Sequence, residues 1–156
     1  MQKTITPLLF CLFLGASFAA KAQDTAAETQ AVKQTVTAFF DGMRRGDSTL
    51  IRRTLAPGAV FHGIGGKPGQ PPALQTENIS GFLKAIATPH PQVLDERIKF
   101  EQVLIDANLA SVWAPYEFYI GTKFSHCGYD SFQLVKLADG WKIAHIIDTR
   151  RKEKCK

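Results

Sequence analysis

The chain has 156 residues, of which 45% are hydrophobic and 21% charged, and its formal net charge is +5. That length holds one ordinary globular domain and leaves no room for a second. The basic residues gather in Arg150-Arg151-Lys152-Glu153-Lys154-Cys155-Lys156 with no aromatic or glycine interleaving, which describes a solvated tail and excludes a nucleic-acid partner from the expectations.

The first predicted element is a leader. Met1-Gln2-Lys3, an apolar run from Leu8 to Phe18, and Ala20-Lys21-Ala22 before Gln23 have the layout of a secretory signal peptide cleaved after Ala22. The expected organisation is therefore a signal peptide over 1–22 and one domain over 23–156, exported to the periplasm or the medium. The apolar run is shorter than the roughly 20 residues a membrane-spanning helix needs, and no later stretch approaches it, so membrane insertion is not expected. Cys11 lies mid-run without the small residues that precede a lipidated cysteine.

From Thr25 to Arg45, Val32, Val36, Phe39, Phe40 and Met43 recur at helical spacing and predict a core-facing helix. Asp47 can cap a short second helix through Leu50, Ile51 and Leu55, stopped by Pro57-Gly58. Ala59 to Ile64 reads as a strand, and the glycines and prolines from Gly65 to Pro72 read as a plain loop. That loop lacks the Gly-Lys-Ser/Thr ending of a phosphate cradle. Thr76 opens a third helix carrying Ile79, Phe82, Leu83 and Ile86, closed by Pro89 and Pro91. Four β segments follow, Arg97 to Ile105, Leu109 to Ile120, Phe124 to Leu137 and Trp141 to Thr149, joined by short turns as sequential antiparallel hairpins. Helices first and a meander afterwards predict an α+β fold with helices on one face of a curved sheet.

Along this order the chain resembles the nuclear transport factor 2-like superfamily. The resemblance rests on the leader, the helix ending in Phe39-Phe40-Asp41-Gly42, the helix–strand–helix–strand sequence and Asp139-Gly140-Trp141-Lys142-Ile143. Trp113-Ala114-Pro115-Tyr116-Glu117-Phe118-Tyr119 and His126-Cys127-Gly128-Tyr129-Asp130-Ser131-Phe132 are similar to its exported bacterial branch labelled lumazine-binding, close to polyketide cyclase-like proteins. The resemblance implies a cystatin-like cone, with N-terminal helices packed on a curved, mixed, mostly antiparallel sheet around a pocket. It implies no chemistry, because ketosteroid isomerases, dehydratases and non-enzymatic binding domains share that fold. By the same analogy a homodimer would form through the outer face of the sheet.

Hairpin register says which ionisable groups meet. A two-residue Gly121-Thr122 turn pairs Ile120 with Lys123, sets Glu117 opposite His126 and Trp113 opposite Asp130, and puts all four on one face. In the last hairpin a three-residue loop pairs Leu137 with Trp141 and sets Asp130 opposite Asp148, with Arg150 on the same face and Phe132, Leu134, Ala144 and Ile146 as an apolar floor. A two-residue Asp139-Gly140 turn would instead bring His145 and Thr149 to that face. The three-residue loop is the preferred register.

In that arrangement Glu117 would orient and partly protonate His126, and Arg150 would offset the repulsion between Asp130 and Asp148. His126, Asp130 and Asp148 are the candidate catalytic residues. Trp113, Tyr116, Glu117, Phe132, Arg150 and His62 are the candidate binding residues, with His62 at the pocket mouth. One reading is an exported domain that binds a small, partly aromatic molecule. The alternative is a cofactor-independent isomerase, dehydratase or hydrolase using a His/Asp acid–base pair. A third is that the acids and Arg150 form an ion network that only pins the sheet. No His-x-x-x-His or Glu-x-x-His spacing supports a metal, and neither metal nor cofactor is expected. Cys127 and Cys155 permit a disulfide if the tail folds back, a pairing the sequence leaves open.

Overall fold

The computed structural model describes residues 25–66 and 70–155. The leader, its cleavage after Ala22 and Cys11 lie outside the described residues. Helix α1 spans Thr25–Arg45 and buries Val32, Val36, Phe39, Phe40 and Met43, the stripe its periodicity predicts. Helix α2 spans Ser48–Thr54, and the Asp47 carboxylate caps it by accepting from the Leu50 amide at 2.9 Å. It stops one residue short of Leu55, which opens β1 (Leu55–Gly65) and pairs with Ile143.

Two departures follow in the loop region. Ala73–Thr76 forms a short strand, β2, antiparallel to β1 with His62 opposite Thr76. All four of its residues are exposed, so it carries no alternation that a sequence pattern would reveal. Helix α3 (Ile79–Ala87) consequently starts after Thr76, capped by Asn78, whose side-chain oxygen accepts from the Gly81 amide at 3.1 Å.

The predicted strand Arg97 to Ile105 is two strands, β3 (Leu94–Ile98) and β4 (Gln102–Asp106), both antiparallel to β5 (Leu109–Ile120). The break faces Pro115. Its carbonyl accepts from the Lys99 amide at 3.0 Å, but proline has no N–H to return, so the ladder is interrupted there. Strands β6 (Lys123–Leu137) and β7 (Gly140–Thr149) complete a sheet of order β2-β1-β7-β6-β5-β3, with β4 also on β5. Only β1 and β7 run parallel. The fold is thus the expected α+β cone with a mixed, mostly antiparallel sheet.

Two bulges set what faces inward. Ile120 pairs with Lys123 as the Gly121-Thr122 turn requires, but the register shifts between Phe118 and Tyr119 and leaves Ser125 as an extra residue, so His126 sits opposite Phe118 and Glu117 opposite Cys127. The slip reverses Glu117 and Trp113 relative to His126 and Asp130. In the last hairpin the turn is two residues, Ala138-Asp139, and Leu137 pairs with Gly140. A bulge at Ala144 then restores the offset, so Asp130 does face Asp148. The predicted cross-strand pair is present, while the predicted loop is not. Ile143, opposite Leu134, takes the place in the apolar floor expected of Ala144.

Helix α1 lies on the inner face of the sheet. Phe40 meets Phe132 edge-on at 5.9 Å, and Phe39 meets Phe61 at 5.8 Å and stacks on Phe82 of α3 at 6.0 Å. Each such ring, once buried, stabilises the fold by about 1.5–3 kcal/mol. Beyond β7 the tail does fold back. The amides and carbonyls of Cys127 and Arg151 exchange two hydrogen bonds of 2.9 Å, and Cys127 and Cys155 are joined by a disulfide with Cα atoms 5.8 Å apart. No described helix is long and apolar enough to cross a membrane.

Candidate functional site

At one end of the cone the sheet and helices do not close. A cavity of about 300 Å³ remains, walled by Phe39, Phe40 and Met43 of α1, Phe61 of β1, Phe82 and Ile86 of α3, and Leu94 and Phe118. The rest of the described lining is Ala85 and the ionisable His62, Glu77, Glu96, His126, Asp148 and Arg150. The sheet explains their convergence. Glu96, Phe118 and His126 are successive partners across β3, β5 and β6, and Ala114, Asp130, Asp148 and Gly63 are successive partners across β5, β6, β7 and β1. Side chains of directly paired residues share a face, so both rows point toward the helices.

Two close approaches shape this end. A side chain at Gly128 would run into the Thr149 carbonyl and the Tyr116 ring. Only glycine lets the buried Tyr116 ring lie there and donate its hydroxyl to the Thr149 carbonyl at 2.9 Å. At Gly63 an added carbon would stand 3.0 Å from Asp148 Oδ1 and 3.5 Å from Arg150 Nη2. The bare backbone there leaves room for the Asp148–Arg150 ion pair, whose Nε–Oδ2 distance is 2.9 Å.

Asp130 is 2% exposed and hydrogen-bonds Glu96 carboxyl to carboxyl. Such a bond needs a proton, and the surroundings supply the reason for one. Burial, then the charges of Glu96 and Asp148, hold Asp130 well above the ordinary carboxylate range. Burial pushes Glu96 up to about 8, with the bond from Asp130 opposing and the Asp148 charge adding to the rise. The pair keeps a proton near neutral pH. No N–H or hydroxyl of the described residues reaches the buried Asp130 Oδ2 or Asp148 Oδ1. His126 moves the other way: burial, then Arg150, lowers its pKa, with Asp148 opposing, so the ring is a neutral base at pH 7. Burial first, then the Asp148, Glu96 and Asp130 charges, raises Tyr116 far above an ordinary phenol, which keeps its hydroxyl a donor.

Of the residues singled out by sequence, His126, Asp148 and Arg150 line the cavity. Asp130 and Tyr116 are buried close enough to feel the same charges but do not line it, and the fully buried Phe132 packs edge-on against Phe40 without reaching it. Glu117 does not join them. It accepts from the Tyr119 hydroxyl at 2.9 Å, on the face opposite His126, and His126 instead has Ser125 Oγ 3.0 Å from its Nδ1. Trp113 is likewise outside, 43% exposed and stacked on Tyr129 at 5.0 Å. His62 borders the cavity, but its ring pairs with His145 at 2.8 Å. Glu96 was missed, although Leu94-Asp95-Glu96-Arg97-Ile98 carries the signal: if Leu94 and Ile98 face inward, so must Glu96.

A helix-roofed cone over a curved mixed sheet, open at one end onto an apolar and ionisable cavity, is the architecture of the nuclear transport factor 2-like superfamily. The chain belongs within it to the family described as putative lumazine-binding, whose sequence pattern matches residues 27–146. Among solved structures it is similar to a nuclear transport factor 2-like protein of unknown function from Shewanella baltica, at 18% identity and a TM-score of 0.64, over 82% of this chain and 97% of that one. A nuclear transport factor 2-like protein with a cystatin-like fold from Novosphingobium aromaticivorans matches at 6% identity and 0.64, over 81% and 83% of the two chains. A protein from Streptomyces avermitilis titled a putative dehydratase matches at 16% identity and 0.61, over 83% and 99%. At these identities the likeness is one of fold. No curated protein matches the sequence.

Proposed function

We propose that this is an exported domain that holds a small, largely apolar molecule in the cavity beneath α1 and α3. The observation that carries the reading is the cavity itself: about 300 Å³ of open space, walled by phenylalanine rings with ionisable groups at one end. A structural ion network would need no such space, and small-molecule sites combine apolar walls with a few convergent polar groups. The family description supports a flat ligand, and the amino-terminal sequence supports export. Ala85 is exposed at the cavity wall, so Ala85→Trp should obstruct entry without disturbing the core. The reading expects at least one member of a panel of small flat molecules, neutral, anionic and cationic, to raise the melting temperature of the wild type and not of Ala85→Trp. Equal responses from both proteins would refute it.

A second reading, proton-transfer chemistry, is favoured by one observation. Glu96, which lines the cavity, holds a proton with Asp130, while His126 across the same row is neutral. An acid and a base are thus available at one end of one pocket. The likeness to the Streptomyces avermitilis protein described as a dehydratase points the same way. This reading expects Glu96→Gln to abolish turnover of a substrate that it still binds. Leu104 and Trp113, 64% and 43% exposed on the outer face, support a homodimer closed through that face, which sedimentation of wild type and Trp113→Glu would test.

A further inference from the structure

We infer that the ligand this cavity selects is an amine: a protonated amino group carried on a flat, apolar or aromatic body. The inference rests on the reading that the cavity binds a small molecule, and it names the chemical class.

The first reason is the balance of charge. Glu77, Glu96 and Asp148 line the cavity and Asp130 hydrogen-bonds Glu96, whereas Arg150 is the only lysine or arginine among the described lining residues. Arg150 is also committed. Its Nε donates to Asp148 at 2.9 Å and its Nη2 lies 3.4 Å from Glu77. A carboxylate ligand would have to take the guanidinium from two acids already facing it, inside a site whose remaining charge is negative.

The second reason is hydrogen-bonding capacity. Asp148 lines the cavity, and its buried Oδ1 is reached by no N–H or hydroxyl of the described residues. Two neighbouring polar groups are turned elsewhere: the Tyr116 hydroxyl is given to the Thr149 carbonyl, and His126 Nδ1 faces Ser125. Buried acceptors left without donors are costly, and an ammonium offers three donors and a positive charge together. The third reason is the wall. Phe39, Phe61, Phe82 and Phe118 suit a flat body, and ring faces attract a nearby cation.

The groups facing the carboxyl pair are Asp148 and Arg150 from β7 and its extension, His126 from β6, Tyr116 from β5 and Glu77 before α3. An ammonium arriving among them displaces the proton held between Glu96 and Asp130. Amine affinity should therefore rise with pH, and binding should release a proton.

Calorimetric titration of the purified, disulfide-bonded protein with three probes on one phenyl–two-carbon frame tests this: phenethylamine, 2-phenylethanol and phenylacetate. Phenethylamine should bind at least about tenfold more tightly than either other probe, more tightly at about pH 8.5 than at about pH 6, with proton release seen as a heat that depends on the buffer. In Glu96→Gln and in Asp148→Asn, each checked for folding by circular dichroism, the preference should fall to within about twofold. Equal or tighter binding of the alcohol or the carboxylate would overturn the inference and leave the ligand-binding reading standing. A preference that survives both variants would also overturn it. Silence from all three probes would count against both.

Discussion

The two faces of one sheet are built by alternate residues of the same strands, yet they are finished differently. On the outer face the polar groups are matched. Ser111 donates to Gln133 at 2.8 Å, Tyr119 to Glu117 at 2.9 Å, and His62 meets His145 at 2.8 Å. On the inner face the apolar end is packed to zero exposure at Val32, Val36, Leu134 and Ile143, while the other end keeps a cavity and an Asp148 oxygen that no donor of the described residues reaches. Satisfied polar groups at a surface describe a scaffold. Acids buried beside open space, held at a cost in stability, describe a place kept for something else.

If that contrast is right, the faces should respond differently to mutation. The largest effect belongs to the packed end. Ile143 is fully buried opposite Leu134, and Ile143→Ala should lower stability by about 3–4 kcal/mol through lost burial and the void left behind, as denaturant unfolding would measure. Next is the clamp on the tail. The Cys127–Cys155 bridge closes a separation of 28 residues, for which restriction of the unfolded chain predicts about 3–4 kcal/mol. Cys155 is exposed, so Cys155→Ser removes the bridge without opening the core. A loss under about 1 kcal/mol would show that the Cys127–Arg151 backbone pairing holds the tail alone.

The open end should show itself in pH dependence. Glu96 rises from an ordinary value of 4.5 to about 8, and Asp130 rises with it. In that interval the folded state binds more protons than the unfolded one, so this contribution to stability is full below about pH 4.5 and is lost as pH climbs through 8. Glu96→Gln should remove the Glu96 share of that slope, leaving the part that burial gives Asp130. The stability difference between wild type and variant should shift by on the order of 2 kcal/mol between about pH 5 and about pH 8.5, with wild type favoured at the acid end. A constant difference would mean that no proton is held between the two carboxyls.

How much of this was legible depended on period more than on register. Helix α1 falls on Thr25–Arg45 because five apolar residues repeat at helical spacing, and the hairpin turns lie close to their glycines. Single-residue bulges leave no such mark. Ser125 reads as one more strand residue, yet it decides whether Glu117 or Phe118 faces His126. The alternation of Ala110, Val112, Ala114, Tyr116 and Phe118 against Ser111 and Glu117 could have settled that face, since five apolar residues in phase outweigh an assumed turn. The Asp130–Asp148 pair was reached through a loop that does not exist, because the Ala144 bulge restores the same offset. Glu96 was lost when β3 and β4 were read as one strand starting at Arg97.

The smallest effect belongs to the outer face, and it carries the opposite sign. Burial, then the neighbouring His62, lowers the pKa of His145. The unfolded chain therefore takes up this proton more readily than the folded one, and the contribution of the group is lost as pH falls through its ordinary value of 6.5. His145 lies opposite Gln133, and its ring meets His62 with no carboxylate of the described residues paired to it, so nothing described on that face reverses the direction. His145→Gln should gain on wild type as the medium is acidified, where Glu96→Gln loses. Melting curves of the two variants and wild type across the same pH series would separate them. Parallel curves for both variants would mean that the two faces titrate as one coupled network, and the division between a matched scaffold and an open acidic site would have to be abandoned.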